Sequence, residues 1–258
     1  MSEYSIYQAD AFTSQLFRGN PAAIVPLADW LDEATLQKIA QENNLSETAY
    51  FTRSEGEEVD FHLRWFTPQA EIDLCGHATL ATAHILFDEL DWLKDTLCFS
   101  TQTAGNLVVT RLDNGRLQLD FPARPAVDVA IFDDFVRALV ARPAELLLAR
   151  DHMAVFATEA QVRAIDPDME ALARINKDGI IITAPADDPE IDFVSRFFAP
   201  NHGIPEDPVT GSAHCTLVPY WAEKLDKTTL MAQQISARGG TLWCQYREEK
   251  QRVYLAGN

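Results

Sequence analysis

The chain repeats itself once, at long range, and this limits its fold more than any other feature. Arg64-Trp65-Phe66-Thr67-Pro68 leads into Cys75-Gly76-His77-Ala78-Thr79, and Arg196-Phe197-Phe198-Ala199-Pro200 leads into Thr210-Gly211-Ser212-Ala213-His214. The Arg residues lie 132 positions apart (196 − 64) and the Gly residues 135 (211 − 76), so the second copy holds three extra residues between its landmarks. The offset of 135 persists where Gly105-Asn106-Leu107-Val108 matches Gly240-Thr241-Leu242-Trp243. Solenoid repeats recur every roughly 20–50 residues. A period this long implies duplication of a whole α+β unit. A ligand held between two such units would meet similar backbone elements from opposite sides.

A length of 258 residues suits two units of this size. The join is expected near Phe121-Pro122-Ala123-Arg124-Pro125, giving halves 1–121 and 122–258, with the last strand free to pack back on the first half. Strands are expected at 4–12, 22–27, 48–51, 61–65, 96–101, 105–112 and 116–121 in the first half. The second half should carry strands near 145–149, 153–158, 180–183, 192–199, 229–237, 240–246 and 251–256. Alternation of Phe61, Leu63 and Trp65 with His62 and Arg64 is a half-buried strand pattern. Asp32 is placed to cap a helix with Leu36, Ile39, Ala40 and Asn43 on one face, and Phe132, Phe135, Val136, Leu139 and Val140 form a second stripe. A short helix should carry Met169, Leu172 and Ala173. From Gly76 to about Leu86 the residues are almost all small or apolar, and a helix apolar on most sides is a central, buried one. A matching buried helix follows Gly211.

The net charge of −18 argues against nucleic acid and anionic membranes as partners. No run of 18 apolar residues suggests a membrane span. Met1-Ser2-Glu3-Tyr4 lacks the character of a signal peptide, and four separated cysteines without a CxxC pair read as reduced thiols, so a cytoplasmic location is expected. The six histidines show no HxxxH or HExxH spacing, and no GxGxxG or Walker loop is present. Neither a metal nor a nucleotide cofactor is expected.

Several residues could carry chemistry. Each central helix begins at a Gly, where unpaired N–H groups and about half a positive charge accumulate. Gly76 and Gly211 are then either close-packed caps or the places where an anionic substrate meets the backbone. Acids stand before both: Glu71 and Asp73, then Glu206 and Asp207. Glu47 opens an apolar strand, whereas the second half has Asp178-Gly179-Ile180 there, with no clear counterpart acid. Cys75, one residue before a helix start, should have a lowered pKa. A pair of such cysteines would make a two-base racemase, but position 210 holds Thr. Cys215 and Cys244 lie in apolar runs and read as core.

Gly19-Asn20-Pro21-Ala22-Ala23, Asn44-Leu45-Ser46-Glu47-Thr48-Ala49, Arg64-Trp65-Phe66-Thr67-Pro68, Asp73-Leu74-Cys75-Gly76-His77-Ala78-Thr79 and Glu206-Asp207-Pro208-Val209-Thr210-Gly211-Ser212-Ala213 resemble the signature blocks of the phenazine-biosynthesis PhzF-like isomerase family. They appear in the family's order and span nearly the whole chain. The resemblance implies a diaminopimelate epimerase-like fold: α+β, two pseudo-symmetric domains, each a curved, mostly antiparallel sheet or barrel wrapped around a central helix, with the active site between them. It implies Glu47 as general acid/base, assisted by His77 and Asp207. It also implies that Gly211 and Ser212 help to hold a substrate carboxylate and that Cys75 stands where related racemases have one catalytic thiol; Gly76, from its helix start, and Cys75 are taken as substrate-binding with them. The reading is a cofactor-independent isomerase that shifts a proton on a small carboxylate-bearing metabolite. A one-thiol epimerase using Cys75, or a non-catalytic binding protein of the same fold, are the alternatives. The partner expected is the small substrate, with a second copy of the chain as the candidate protein partner.

Overall fold

The computed structural model describes residues 3–176 and 178–258. The chain divides into two compact units, Met1–Phe121 with Leu255–Asn258, and Pro122–Tyr254. Unit 1 runs β1 (Tyr7–Ala11), β2 (Asn20–Leu27), α1 (Glu33–Asn43), β3 (Glu47–Arg53), β4 (Phe61–Phe66), β5 (Glu71–Ile72), α2 (Gly76–Asp88), β6 (Thr96–Ser100), β7 (Asn106–Arg111) and β8 (Leu117–Pro122). The chain continues in unit 2 through β9 (Val127–Asp128), α3 (Asp133–Leu139), β10 (Glu145–Leu148), β11 (His152–Val155), α4 (Glu159–Ala164), α5 (Met169–Ile175) and β12 (Ile180–Pro185). Then come β13 (Phe193–Ala199), β14 (Ile204–Asp207), α6 (Gly211–Leu225), β15 (Thr229–Gln234), β16 (Gly240–Arg247) and β17 (Arg252–Gly257). Strand β17 carries the chain back to unit 1, where Phe12 N donates to Asn258 O at 2.7 Å.

The duplication is visible in the strand pairing. In unit 1, β1–β2 is antiparallel, β2–β3 parallel, β3–β4 and β4–β5 antiparallel, β4–β6 parallel and β6–β7 antiparallel. Unit 2 repeats this sequence of pairings as β10–β11, β11–β12, β12–β13, β13–β14, β13–β15 and β15–β16. Register is kept as well: Arg64 faces Tyr50, and Arg196 faces Ile182.

The repeated Arg has a structural role in both copies. Arg64 Nε and Nη2 donate to the two Glu71 oxygens at 2.7 and 2.6 Å; Arg196 does the same to Glu206 at 2.7 and 2.9 Å. Each fork closes the hairpin that leads to a central helix, and each guanidinium lies over a Phe, Phe66 or Phe198. Two-point pairing of this kind fixes orientation as well as distance. Glu71 and Glu206 are therefore tied up in the fold.

The central helices follow from composition. Eleven residues of α2 are buried, including every residue from Gly76 to Ala83. Helix α2 packs on β1, β2 and β3, and α6 on β15 and β16. Helix α6 contains Pro219, which cannot donate to the carbonyl four residues earlier. Arg124 N donates to that carbonyl, Cys215 O, at 2.8 Å. Asp32 caps α1 by accepting from Thr35 N.

Several boundaries differ from the sequence reading. The strand expected at 153–158 ends at Val155, because Thr158 and Gln161 form a capping box that starts α4. Val140 leaves the expected stripe: it takes a left-handed conformation and ends α3. The strand expected to reach 237 stops at Gln234, and Ser236 Oγ there accepts from Gly239 N to close a turn. The short strands β5, β9 and β14 have too few residues to show a period.

Candidate active site

In unit 1, the start of β3 and the start of α2 bring Glu47, Cys75 and His77 together. All three are buried, and their ligand-type atoms lie within 4.8 Å of one another. The topology explains this. Strand β3 runs parallel to β2 and opens at Glu47, while α2 opens at Gly76 after the β4–β5 hairpin. Glu47 Oε2 stands 2.9 Å from His77 Nε2. The distance suits an ion pair, yet neither atom has a partner in hydrogen-bonding geometry among the described residues.

The other face of the imidazole is occupied. Asn20 Nδ2 lies 3.0 Å from His77 Nδ1, and Cys75 Sγ is 3.5 Å from the same nitrogen. With the amide NH₂ donating to Nδ1, the ring proton sits on Nε2, the nitrogen on the Glu47 side of the ring. A second ring proton needs Asn20 to turn its amide and offer oxygen. Burial pulls the His77 pKa down, but its two buried partners, Cys75 and Glu47, outweigh it and set the pKa well above the usual 6.5. The charge that acts on the ring is the Glu47 carboxylate, because Cys75 is a protonated thiol.

That thiol corrects the sequence reading. Burial, with the nearby Glu47 charge second, pushes Cys75 up to about 11. The helix start does not offset removal from water in a site shared with a carboxylate. The trio also offers one O, one S and one N donor to a metal ion, a set that histidine spacing could not reveal because it spans two elements. In this arrangement, however, Nε2 faces Glu47 while Nδ1 faces Cys75. One ion could not use the ring and both neighbours unless the ring turned.

Unit 2 has its own polar cluster at the start of α6. Asp207, the last residue of β14, is buried and accepts from Thr210 Oγ1 at 2.5 Å. Gln234, from β15, pins the same turn: its Nε2 donates to Asp207 O at 2.7 Å and its Oε1 accepts from Thr210 N at 2.8 Å. Thr210, which stands where the first copy has Cys75, thus serves Asp207. Ser212, one residue into α6, accepts from Arg150 Nη2 at 3.2 Å. His214 donates from Nδ1 to Thr210 O at 2.8 Å and is a neutral core residue, its pKa lowered to about 4 by burial.

The structure thus gathers Glu47, Cys75, Gly76 and His77 in unit 1, and Asp207, Gly211 and Ser212 in unit 2. Asn20, Gln234, Arg150 and Asp151 were not singled out from the sequence. Asn20 belongs to the Gly-Asn-Pro block that carried the resemblance, a signal that was present but not read as chemistry. A family model described as phenazine biosynthesis-like protein matches residues 9–258. The chain belongs to the phenazine biosynthesis-like family. An uncharacterized isomerase of Pseudomonas aeruginosa is 48% identical to this family member over 255 residues, which cover 99% of this chain and 95% of that one. The crystal structure of a PhzF-family phenazine biosynthesis protein from Enterococcus faecalis superposes with a TM-score of 0.91 at 45% identity, covering 99% of this chain and 95% of that chain. A probable proline racemase from Agrobacterium radiobacter, at 11% identity and a TM-score of 0.61 over 99% of this chain and 90% of its own, shares the fold. Among the described residues, no helix is long and apolar enough to cross a membrane.

Proposed function

We propose that this protein is a cofactor-independent isomerase that moves a proton on a small carboxylate-bearing metabolite, with Glu47 as the proton carrier. The observation that carries the reading is the buried Glu47–His77 contact, at 2.9 Å but outside hydrogen-bonding geometry. A carboxylate and an imidazole so placed can each accept or give a proton to a third group that enters beside them. The names of family relatives as isomerases support the same class of reaction.

In this mechanism, Glu47 takes a proton from a carbon next to an unsaturated or carboxylate-bearing centre. The electron pair left behind spreads into that system, and the proton returns at a second carbon, so composition and oxidation state are unchanged. His77, made basic by the neighbouring Glu47 carboxylate, stabilises the charge and relays a proton. A thiolate base at Cys75 is disfavoured, because its thiol holds its proton at neutral pH.

Solvent-deuterium exchange into a panel of small unsaturated carboxylates tests the reading. Wild type should label at least one panel member, and Glu47→Gln should do so at least about a hundredfold more slowly. Equal rates in the two proteins would remove Glu47 from the chemistry. Labelling of no panel member, together with tight binding of one, would favour a non-catalytic binder.

A further inference from the structure

Unit 2 repeats the strand order of unit 1 but moves its acid. Glu47 lies three residues before Tyr50, the partner of Arg64; Gly179 lies three residues before Ile182, the partner of Arg196. Gly179 thus takes the place of Glu47, and that place is filled from next door. A Cβ on Gly179 would fall 2.2 Å from Phe197 Cζ and 3.0 Å from Asp151 Oδ1. His152 N donates to Gly179 O at 3.2 Å, which sets Asp151 beside the glycine. The carboxylate beside it comes from the bend that leads into the neighbouring strand β11.

Asp151 itself cannot reach a ligand, since its side chain is only 1% exposed. Its partner can, because Arg150 is 28% exposed. Arg150 Nε sits 3.3 Å from each Asp151 oxygen, and Nη2 lies 3.1 Å from Oδ2 and 3.2 Å from Ser212 Oγ. These bonds all run through Nε and Nη2, so Nη1 is the edge that can meet a ligand. A second guanidinium stands close by. Arg124 bonds through its backbone to Cys215 in the first turns of α6, its charge reaches Asp151, and its Nη1 is buried without a partner among the described residues. Asp178 also acts on Asp151, and Arg252 joins Arg124 and Arg150 around Cys215, so three arginines meet two aspartates in this corner of a chain of net charge −18. Ser212, the residue after the helix-opening Gly, occupies the position of His77.

We infer that Arg150 is the residue with which unit 2 grips an anionic group, and that Asp151 is its positioning residue. The choice of a carboxylate as that group rests on the isomerase reading; the anion seat does not. A guanidinium presents a planar fork that matches a carboxylate, and the buried Asp151 holds that fork in one orientation instead of leaving it to sweep the solvent.

Malonate is the probe, titrated into the full chain at ionic strength held constant with sodium chloride. Calorimetry should show one saturable site in wild type. Arg150→Met should weaken it by at least about tenfold, the loss of one or two charged hydrogen bonds, and Arg150→Lys should fall between. Asp151→Asn should weaken binding and also speed rotation about the Arg150 Nε–Cζ bond, read from the side-chain ¹⁵N resonances. A purely structural Asp151 would leave that rotation unchanged. Should Arg150→Met fail to fold, the wild-type Arg150 Nε–H resonance decides, because it must shift on malonate binding. No saturable site, equal affinity in wild type and Arg150→Met, or an unmoved resonance overturns the inference. Glu47→Gln separates this from the isomerase reading: it should lose deuterium exchange yet keep its malonate affinity.

Discussion

Lowering the pH should destabilise this protein through a single core histidine, and the size of the effect follows from its surroundings. His214 is fully buried in the first turn of α6. Its Nδ1 proton is satisfied by Thr210 O, but Nε2 has no partner among the described residues. A second proton would place an unpaired, charged N–H in the core, which is why the pKa is lowered to about 4 from 6.5. Above pH 6.5 the ring is neutral in both the folded and the unfolded chain, and no pH dependence arises. As pH falls below 6.5 the unfolded chain takes up the proton first, so stability drops by about 1.36 kcal/mol per pH unit and levels off below the folded value. Between pH 7.5 and 5.0 this amounts to about 2 kcal/mol, and in full to about 3 kcal/mol. His77 acts with the opposite sign. Its raised pKa contributes stability that is complete below 6.5 and fades as pH rises through the folded value. The two must be separated, so the quantity to measure is the difference between wild type and His214→Gln. Urea unfolding at pH 7.5 and 5.0 should show wild type losing about 2 kcal/mol more than the variant over that interval, whatever the substitution itself costs. Histidine NMR should show one ring that does not titrate above pH 5. A difference under about 0.5 kcal/mol, or a His214 resonance titrating near 6.5, would refute the reasoning.

Gly179→Ala should destabilise the fold by about 1–3 kcal/mol in urea unfolding, because the new carbon meets the Phe197 ring and the Asp151 carboxylate; an unchanged midpoint would contradict the filled space. Cys75 should resist a thiol reagent at pH 7.5 in the native protein, with Cys98, the one cysteine that is not buried, reacting first; rapid labelling of Cys75 seen by mass spectrometry would restore the thiolate reading. Cys75→Ser should keep more than about a tenth of the exchange rate under acid/base chemistry at Glu47, against a loss of several orders of magnitude if the thiol were the base. Exhaustive chelation should leave exchange intact; loss of activity that zinc restores would assign the Glu47–Cys75–His77 trio to a metal instead.

Much of the fold was legible because it depends on local pattern. The alternation in 61–65, the apolar run after Gly76 and the repeated Arg-to-Gly spacing each reflect a periodicity that the backbone imposes, and the duplication doubled every signal. Boundaries were read less well where capping decided them, as at Thr158 and Val140. The site divides the same way. Glu47, His77 and Asp207 could be named from sequence blocks, because each stands in a distinctive string beside a strand or helix start. Their environment could not. The Cys75 thiol reads as acidic from its place before a helix, and only burial beside Glu47 reverses the sign. The Asp178-Gly179 string shows no acid matching Glu47, yet Asp151 stands beside that place from the bend before the adjacent strand, 28 residues away in sequence (179 − 151). Register between parallel strands is a long-range property: it is set by how the sheet packs on its helix, and no window of sequence contains it. The sequence therefore determined which elements form and where acids, imidazoles and thiols stand along them. The tertiary structure alone decided which charges face one another, and with that the protonation state of the thiol, the orientation of the imidazole and the anchoring of Arg150.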